Sequence, residues 1–285
     1  MKFFLPRLLN KFKILEKINL NVKIKLNDKL FIIPVIRKNG FQNLFMTEIW
    51  MIDLFKKINH LLSGTFIDVG VNTGQTLLKL KSVNSRLKYI GFEPNPNCVY
   101  YVNELVSVNK LENIELYPVG ISNNDNVLSL NIFYDNNLDS SATIIENFRD
   151  QKVFKKIHVP VFQVKTIIGM EKTLSDVCFI KIDVEGAELE VVQSFIEVIK
   201  KCQPFILIEI LPVYNETNKF RIERQIQIER IFKELNYTFF RIDKSVDDNF
   251  KGLFLIKKIG VHSDLNKCDY LIVPEKYLNE LNYLN

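Results

Sequence analysis

Helical and strand periods alternate along this chain. Phe4, Leu8, Phe12 and Leu15 recur at helical spacing, with Lys2, Arg7, Lys11, Lys13 and Lys17 elsewhere around the wheel. Residues 22–37, "VKIKLNDKLFIIPVIR", are two β-type runs around Asn27-Asp28 and predict a hairpin. Residues 43–62 return to a helical pattern, with Leu44, Ile49, Ile52, Leu54 and Phe55 among the apolar positions, ending near Ser63-Gly64.

From Gly64 the two periods take turns. "TFIDVG" predicts a strand, 74–83 a helix, "LKYIGFE" a strand, 96–108 a helix with Pro96 at a tolerated first-turn position, and "IELYPV" a third strand. A polar, strand-rich section over about 125–165 contains "VLSLNIF" and "HVPVFQV". Then come "VCFIKID" as a strand, 186–201 as a helix, "PFILIEI" as a strand and 218–236 as a charged helix. The tail segments "YTFFRI", "GLFLIK" and "DYLIVP" predict short strands. Strands alternating with helices imply an α/β fold, a mostly parallel sheet with helices on both faces, and the β-rich tail suits an antiparallel edge. The expected layout is an N-terminal extension over 1–63, serving substrate or oligomer contacts, and one domain over 64–285 with an insertion at about 125–165.

Composition narrows this only a little. The 285 residues are 47% hydrophobic, enough for a sizeable core, and global disorder is excluded. The net charge of +5 is mild, so a solvated surface explains it and no nucleic-acid partner is expected. Cys98, Cys178, Cys202 and Cys268 include no CxxC pair, which points to a reducing compartment, the cytoplasm, without a disulfide frame or a zinc site. Every apolar run is broken by charge well before the length of a membrane span. In "MKFFLPRLLNKFKILEKINL", Arg7, Lys11 and Lys13 interrupt what would be the apolar centre of a secretion signal, and no small-residue cleavage site follows. Such a basic amphipathic segment can lie on the inner face of an anionic membrane. The same pattern suits packing on its own domain or on a second copy in a homodimer.

The candidate chemistry sits at strand ends. "IDVGVNTGQT" places Asp68, Gly70, Asn72, Thr73 and Gly74 between a strand and a helix, where glycines let backbone turn tightly against a ligand. Asn72 stands where a dinucleotide fingerprint has its middle glycine, which disfavours a diphosphate and hence an NAD-dependent oxidoreductase. Glu93 closes the second strand, 25 positions after Asp68, where an acid can accept hydrogen bonds from both ribose hydroxyls. Asp68 sits where a carboxylate could face a cationic ligand group. S-adenosyl-L-methionine satisfies both, with a free ribose, an amino-acid tail and a sulfonium in place of phosphates. Further on, "FIKIDVEGAE" carries Lys181 inside an apolar strand and then delivers Asp183, Glu185 and Glu188. Lys181 shares a strand face with Asp183 and can hold it ionised.

"FIDVGVNTG", "IGFEPNPNCVYYVNELVSVN", "IELYPVGIS" and "FIKIDVEGAELEVVQSF" occur in the order and approximate spacing of the FkbM-type S-adenosylmethionine-dependent methyltransferases, which this chain resembles over roughly residues 64–212. "FEPNP" with "KIDVEGAE" is the specific part. The resemblance implies a Rossmann-like class I methyltransferase fold, a seven-stranded sheet whose last strand is antiparallel. It also implies O-methylation of a hydroxyl, commonly on a sugar, polysaccharide or natural product. Carried over by position, Asp68, Gly70, Asn72, Thr73 and Gly74 would form the cofactor loop, Glu93 would hold the ribose and Asn95 the following turn. Gly120 and Ile121 would flank the adenine, and Asp183 would face the transferred methyl. The family often has a Leu-Asp pair after a threonine where this chain has Thr166 followed by Ile167 and Ile168, which puts the geometry of that loop in doubt.

The expected chemistry is carboxylate-assisted. Asp183 is read as the group nearest the methyl, Glu185 as orienting or deprotonating the acceptor, Lys181 as a counter-charge, and Glu209, one strand over, as completing the pocket. Glu185 and Glu188 are both expected to open a helix, Glu188 for its electrostatics. His60 and His262 read as surface or structural, and His158 reaches the site only if the insertion folds over it. No spacing demands a divalent metal, although Asp183, Glu185 and Glu209 are hard oxygen ligands. A nucleic-acid methyltransferase is disfavoured because "DVEG" stands where an Asn/Asp-Pro-Pro-aromatic motif would be. A natural-product acceptor, or a non-catalytic cofactor-binding relative, stays open beside a glycan acceptor.

Overall fold

Asn27 and Asp28, both with positive φ, close the first two strands of a computed structural model that describes residues 3–135, 138–146, 148–149, 151–167 and 174–281. β1 (Asn19–Leu26) and β2 (Lys29–Ile36) pair antiparallel through this two-residue turn, with Leu26 opposite Lys29. Such a tight hairpin needs left-handed backbone at both central residues, and Asn and Asp tolerate it. Before the hairpin, α1 (Phe4–Lys11) is followed by Lys13, whose φ of 57° turns the chain, so Leu15 is buried while Phe4, Leu8 and Phe12 stay exposed. The four residues expected on one helical face therefore part company.

The helix expected over 43–62 is also interrupted. A 3-10 turn at Phe41–Leu44 is followed by α2 (Trp50–Ile58), and Glu48 between them adopts φ 52°. Helical backbone cannot pass through a left-handed residue. Asp248 accepts the Ile49 N–H at 2.9 Å, satisfying one of the donors exposed at the start of α2.

The alternating strands and helices that follow are β3 (Thr65–Val69), α3 (Gln75–Val83), β4 (Lys88–Phe92), α4 (Pro96–Asn109) and β5 (Ile114–Tyr117). Next come β6 (Gly120–Ile121), β7 (Asn126–Ile132), β8 (Lys155–Phe162), β9 (Val177–Ile182), α5 (Glu188–Cys202) and β10 (Phe205–Glu209). α6 (Lys219–Glu234), β11 (Tyr237–Lys244), β12 (Phe250–Ile256) and β13 (Asp269–Pro274) complete the order.

The main sheet runs β12-β11-β13-β10-β9-β3-β4-β5. β5, β4, β3, β9 and β10 are parallel, and β13 lies antiparallel between β10 and β11. The last strand thus runs against its neighbours, as expected. The sheet has eight strands where the resemblance implies seven, because the chain adds β12 to the outer edge as a hairpin partner of β11. The strand expected over "IELYPV" is β5, which ends at Tyr117 in the main sheet; β6, just beyond that segment, joins β8 and β7 in a separate three-stranded sheet. The loop after β8 departs from the family pattern but is fastened by Asp125, which accepts from the Gln163 N–H at 2.7 Å and the Thr166 hydroxyl at 2.9 Å. Ile168 lies outside the described residues.

Register explains how one sheet face becomes a site. Phe66, Tyr89, Phe179 and Phe205 share that face, with ring centroids 4.8 Å apart for Phe66 and Phe179. Two residues on, Asp68 pairs with Lys181. Two further on, at the carboxyl edge, come Gly70, Glu93, Asp183 and Glu209, with Asp269 opposite Glu209. An aromatic layer therefore supports a charged layer, which supports an acidic rim. α2, α3 and the hairpin cover this face in one apolar cluster, while α5 and α6 cover the other.

Candidate active site

A cavity of about 510 Å³ opens at the acidic rim. Its walls come from the glycine loop after β3, the ends of β4, β9 and β10, the short strand β6, the insertion, and the segment before α2. The size falls within the range of small-molecule sites, about 300–1,000 Å³.

One half suits a nucleoside. Gly70, Asn72, Thr73, Glu93, Asn95, Gly120 and Ile121 all line the cavity. Gly70 has φ 92°, and a Cβ there would lie 1.8 Å from the Asp183 carbonyl oxygen, so only glycine lets the ends of β3 and β9 approach this closely. Each Glu93 carboxylate oxygen accepts a backbone N–H, from Asn72 at 2.8 Å and from Asn95 at 2.8 Å. These bonds fix the carboxylate in the cavity wall and leave lone pairs for ligand hydroxyls. Burial pushes Glu93 up to about 7, against the pull of those two N–H donors.

Two predicted loop residues stand elsewhere. Gly74 does not line the cavity; it starts α3 with φ 74° beneath Leu105 and Val102. Asp68 is fully buried below the cavity wall, accepts the Tyr89 hydroxyl at 2.6 Å and lies 4.0 Å from Lys181 Nζ. It faces a cation, but that cation is Lys181. Burial raises Asp68 to about 6, opposed by Lys181 and Tyr89.

The other half is ionic. Lys181 Nζ donates to Asp183 Oδ2 at 2.9 Å. Burial alone would lower the lysine, but Asp183 and Asp68 outweigh it and hold the ammonium above its ordinary range. Burial alone would raise Asp183, but the Lys181 charge and hydrogen bonds from Lys181 and Glu209 keep it ionised. Glu209 is driven well above the carboxylate range, first by burial and then by Asp183 and Asp269, so the Asp183–Glu209 pair shares a proton that Glu209 holds more tightly. Lys244 pairs with Asp269 at 2.5 Å just beyond.

Glu185 lines the cavity beside Asp183 and forms an ion pair with Arg149 from the insertion. Its φ of 53° lies in the left-handed region, and its carbonyl accepts the Thr143 hydroxyl at 2.6 Å. Contrary to the expectation that it opens a helix, Glu185 is held in a turn two residues before Ala187 caps α5. Burial, then the Asp183 charge, raises Glu185 to about 7, with Arg149 opposing. Glu188 does open α5, accepting the Gly186 N–H at 2.7 Å.

The insertion folds over the site through Leu130, Asp139, Ser140, Ala142 and Ile144, yet His158 is exposed on β8 and does not line the cavity. His60 and His262 do not line it either. Sequence reasoning missed Glu48, Phe45, Thr47 and Gln42, which wall the cavity from the N-terminal side. Glu48 pairs with the fully buried Lys79 at 3.3 Å. Asn43 is buried and clamps the glycine loop, donating to the Thr73 carbonyl at 2.7 Å and accepting the Thr73 hydroxyl at 2.8 Å. A polar Asn43 and a charged Lys79 at inward helical positions are the sequence signal that these contacts left.

Residues 68–239 match the family described as the methyltransferase FkbM domain. Among solved structures, an FkbM methyltransferase from Methylobacillus flagellatus KT aligns at 14% identity and TM-score 0.44, over 74% of this chain and 43% of that one. This chain thus spans less than half of that relative's length. A putative O-methyltransferase from Klebsiella pneumoniae aligns at 8% identity and TM-score 0.45, over 78% and 79% of the two chains. A putative methyltransferase from Streptococcus mutans, solved with SAH, aligns at 9% identity and TM-score 0.41, over 78% and 95%. No curated protein matches the sequence.

Proposed function

Because the chain belongs to the FkbM family of methyltransferases, whose cofactor is S-adenosylmethionine, we propose that it methylates a hydroxyl of a sugar or surface polysaccharide. The observation that carries this reading is the presence in one cavity of a nucleoside-binding wall around Glu93 and a carboxyl cluster of Asp183, Glu185 and Glu209. The residues fit the cofactor. Glu93 would hold the ribose, Gly120 and Ile121 would flank the base, and the glycine loop would leave room for the amino-acid tail. Bound there, S-adenosylmethionine supplies a methyl group on a sulfonium, already activated for in-line displacement.

The chain's own residues then have two tasks, alignment and proton removal. Asp183 is held ionised, so it serves as a fixed hydrogen-bond acceptor that orients the acceptor hydroxyl. Glu185, raised to about 7, is matched to neutral pH and takes the hydroxyl proton. Glu209 donates to Asp183 and keeps it from competing as a base. Carboxylates only accept hydrogen bonds and hydroxyls donate them, so a cavity walled by Glu48, Asp139, Asp183 and Glu185 favours a polyhydroxylated acceptor.

Methyl-tritiated S-adenosylmethionine incubated with a panel of oligosaccharide glycosides, phenols and amines tests the proposal. The expected product is label on a glycoside in an alkali-stable ether. Transfer only to phenols or amines, or an alkali-labile ester, would contradict it.

A further inference from the structure

Apolar side chains occupy two sides of α1. Pro6 is buried, and Phe3 and Leu9 pack partly against the core. The opposite arc carries Phe4, Leu5 and Leu8, 60%, 62% and 37% exposed, continued by Phe12 at 63%. These positions fall on one outward stripe about 100° wide, where a solvent-facing helix would carry polar residues. Arg7 and Lys11 flank the stripe, Lys13 and Lys17 follow it, and Ile14 and Ile18 extend the exposed apolar surface. The first 18 residues hold Lys2, Arg7, Lys11, Lys13 and Lys17 against one acid, Glu16, so they account for nearly all of the chain's net +5.

We propose that α1 and the basic turn after it dock the protein on an anionic lipid bilayer. Two observations favour this occupant. Cations and large apolar groups share one side, which is what an interfacial helix needs: apolar burial below the headgroups and charge at their level. A second copy of the chain is the poorer partner, since a two-fold contact would set this cationic stripe against itself. The packed side of α1 adjoins the cavity wall. Arg7 stacks 4.8 Å over the Phe45 ring, and Phe45 lines both the cofactor cavity and a groove of about 340 Å³ beneath α1. Phe3, Ile24, Leu26, Met46 and Ile49 stand in the walls of that groove beside Arg7 and Lys25.

Co-sedimentation of the full chain with vesicles tests this independently of any methyl transfer. Vesicles of phosphatidylcholine mixed equally with phosphatidylglycerol are expected to carry the protein down at low salt. Phosphatidylcholine alone, or high salt, should carry down much less. The variant Phe4→Ser, Leu5→Ser, Leu8→Ser, Phe12→Ser alters only exposed side chains, so it should keep the wild-type circular dichroism and melting temperature while losing sedimentation. Lys11→Gln with Lys13→Gln should weaken binding about fivefold per charge removed. Absence of sedimentation with mixed vesicles at low salt would overturn the proposal. So would unchanged sedimentation of the serine variant, or a dimer that this variant dissociates in the absence of vesicle binding.

Discussion

Lys181 and Asp183 lie two residues apart on one sheet face, with Nζ 2.9 Å from Oδ2, and Asp68 stands 4.0 Å from the same ammonium on the neighbouring strand. One buried lysine therefore neutralises one carboxylate below the cavity and another that lines it. Lys181→Met leaves both carboxylates buried without their cation. Removing one partner of a buried pair costs about 3–5 kcal/mol. Denaturant unfolding should show a loss in that range, larger near pH 8 than near pH 5, where protonation of Asp68 relieves the penalty. A loss below about 1 kcal/mol would place the two acids in solvent-like surroundings instead.

Asp183→Asn should separate binding from chemistry. The amide keeps the shape of the site but loses the charge proposed to orient the acceptor. Cofactor affinity should stay near wild type while turnover falls about 100-fold or more. Unimpaired turnover would remove Asp183 from the reaction.

The ionisation of the cavity gives the free protein a characteristic pH dependence. Glu93, Glu185 and Glu188 are raised to about 7, and Asp68 and Asp269 to about 6, all with burial as the leading cause. For such groups the folded state binds protons more tightly than the unfolded state. Their contribution to stability is complete below the ordinary carboxylate range and is lost as pH rises through 6 to 7. Asp183, held below its ordinary value, works the other way and withdraws its contribution only in stronger acid. The melting temperature of the ligand-free protein should fall between about pH 5 and about pH 8. A melting temperature that rises over this window would contradict these assignments.

Asn43→Ala tests the clamp on the glycine loop. It removes one acceptor and one donor from Thr73 inside the protein, and stranding those groups should cost about 2–3 kcal/mol. Thermal unfolding and cofactor titration should weaken together, because the loop that loses its support forms the cavity wall. Unchanged affinity would show that the N-terminal segment does not shape the cofactor site.

Much of this architecture was legible in the residues. Asn27-Asp28 marked a hairpin because few side chains tolerate left-handed backbone, and the strand-end residues Gly70, Glu93 and Asp183 marked the site because parallel sheets bind ligands at that edge. Period two also joined Lys181 to Asp183 before any coordinates. What could not be read depended on contacts between distant segments. Asp68 looked like a ligand group until register set Lys181 beside it. Glu185 looked like a helix start until Thr143 and Arg149, from the insertion, held it in a turn. Glu48 was hidden in an apparently continuous helix, since only the tertiary pull of Lys79 and the Asp248 cap reveals the break.

The central claim, that this cavity is an S-adenosylmethionine site walled by Glu93, is tested most directly by calorimetric titration of the purified protein. S-adenosylmethionine should bind one-to-one, and Glu93→Ala should weaken it about tenfold or more, equivalent to about 1.4 kcal/mol per tenfold change. No heat with S-adenosylmethionine, together with clear binding of NAD, would contradict the account.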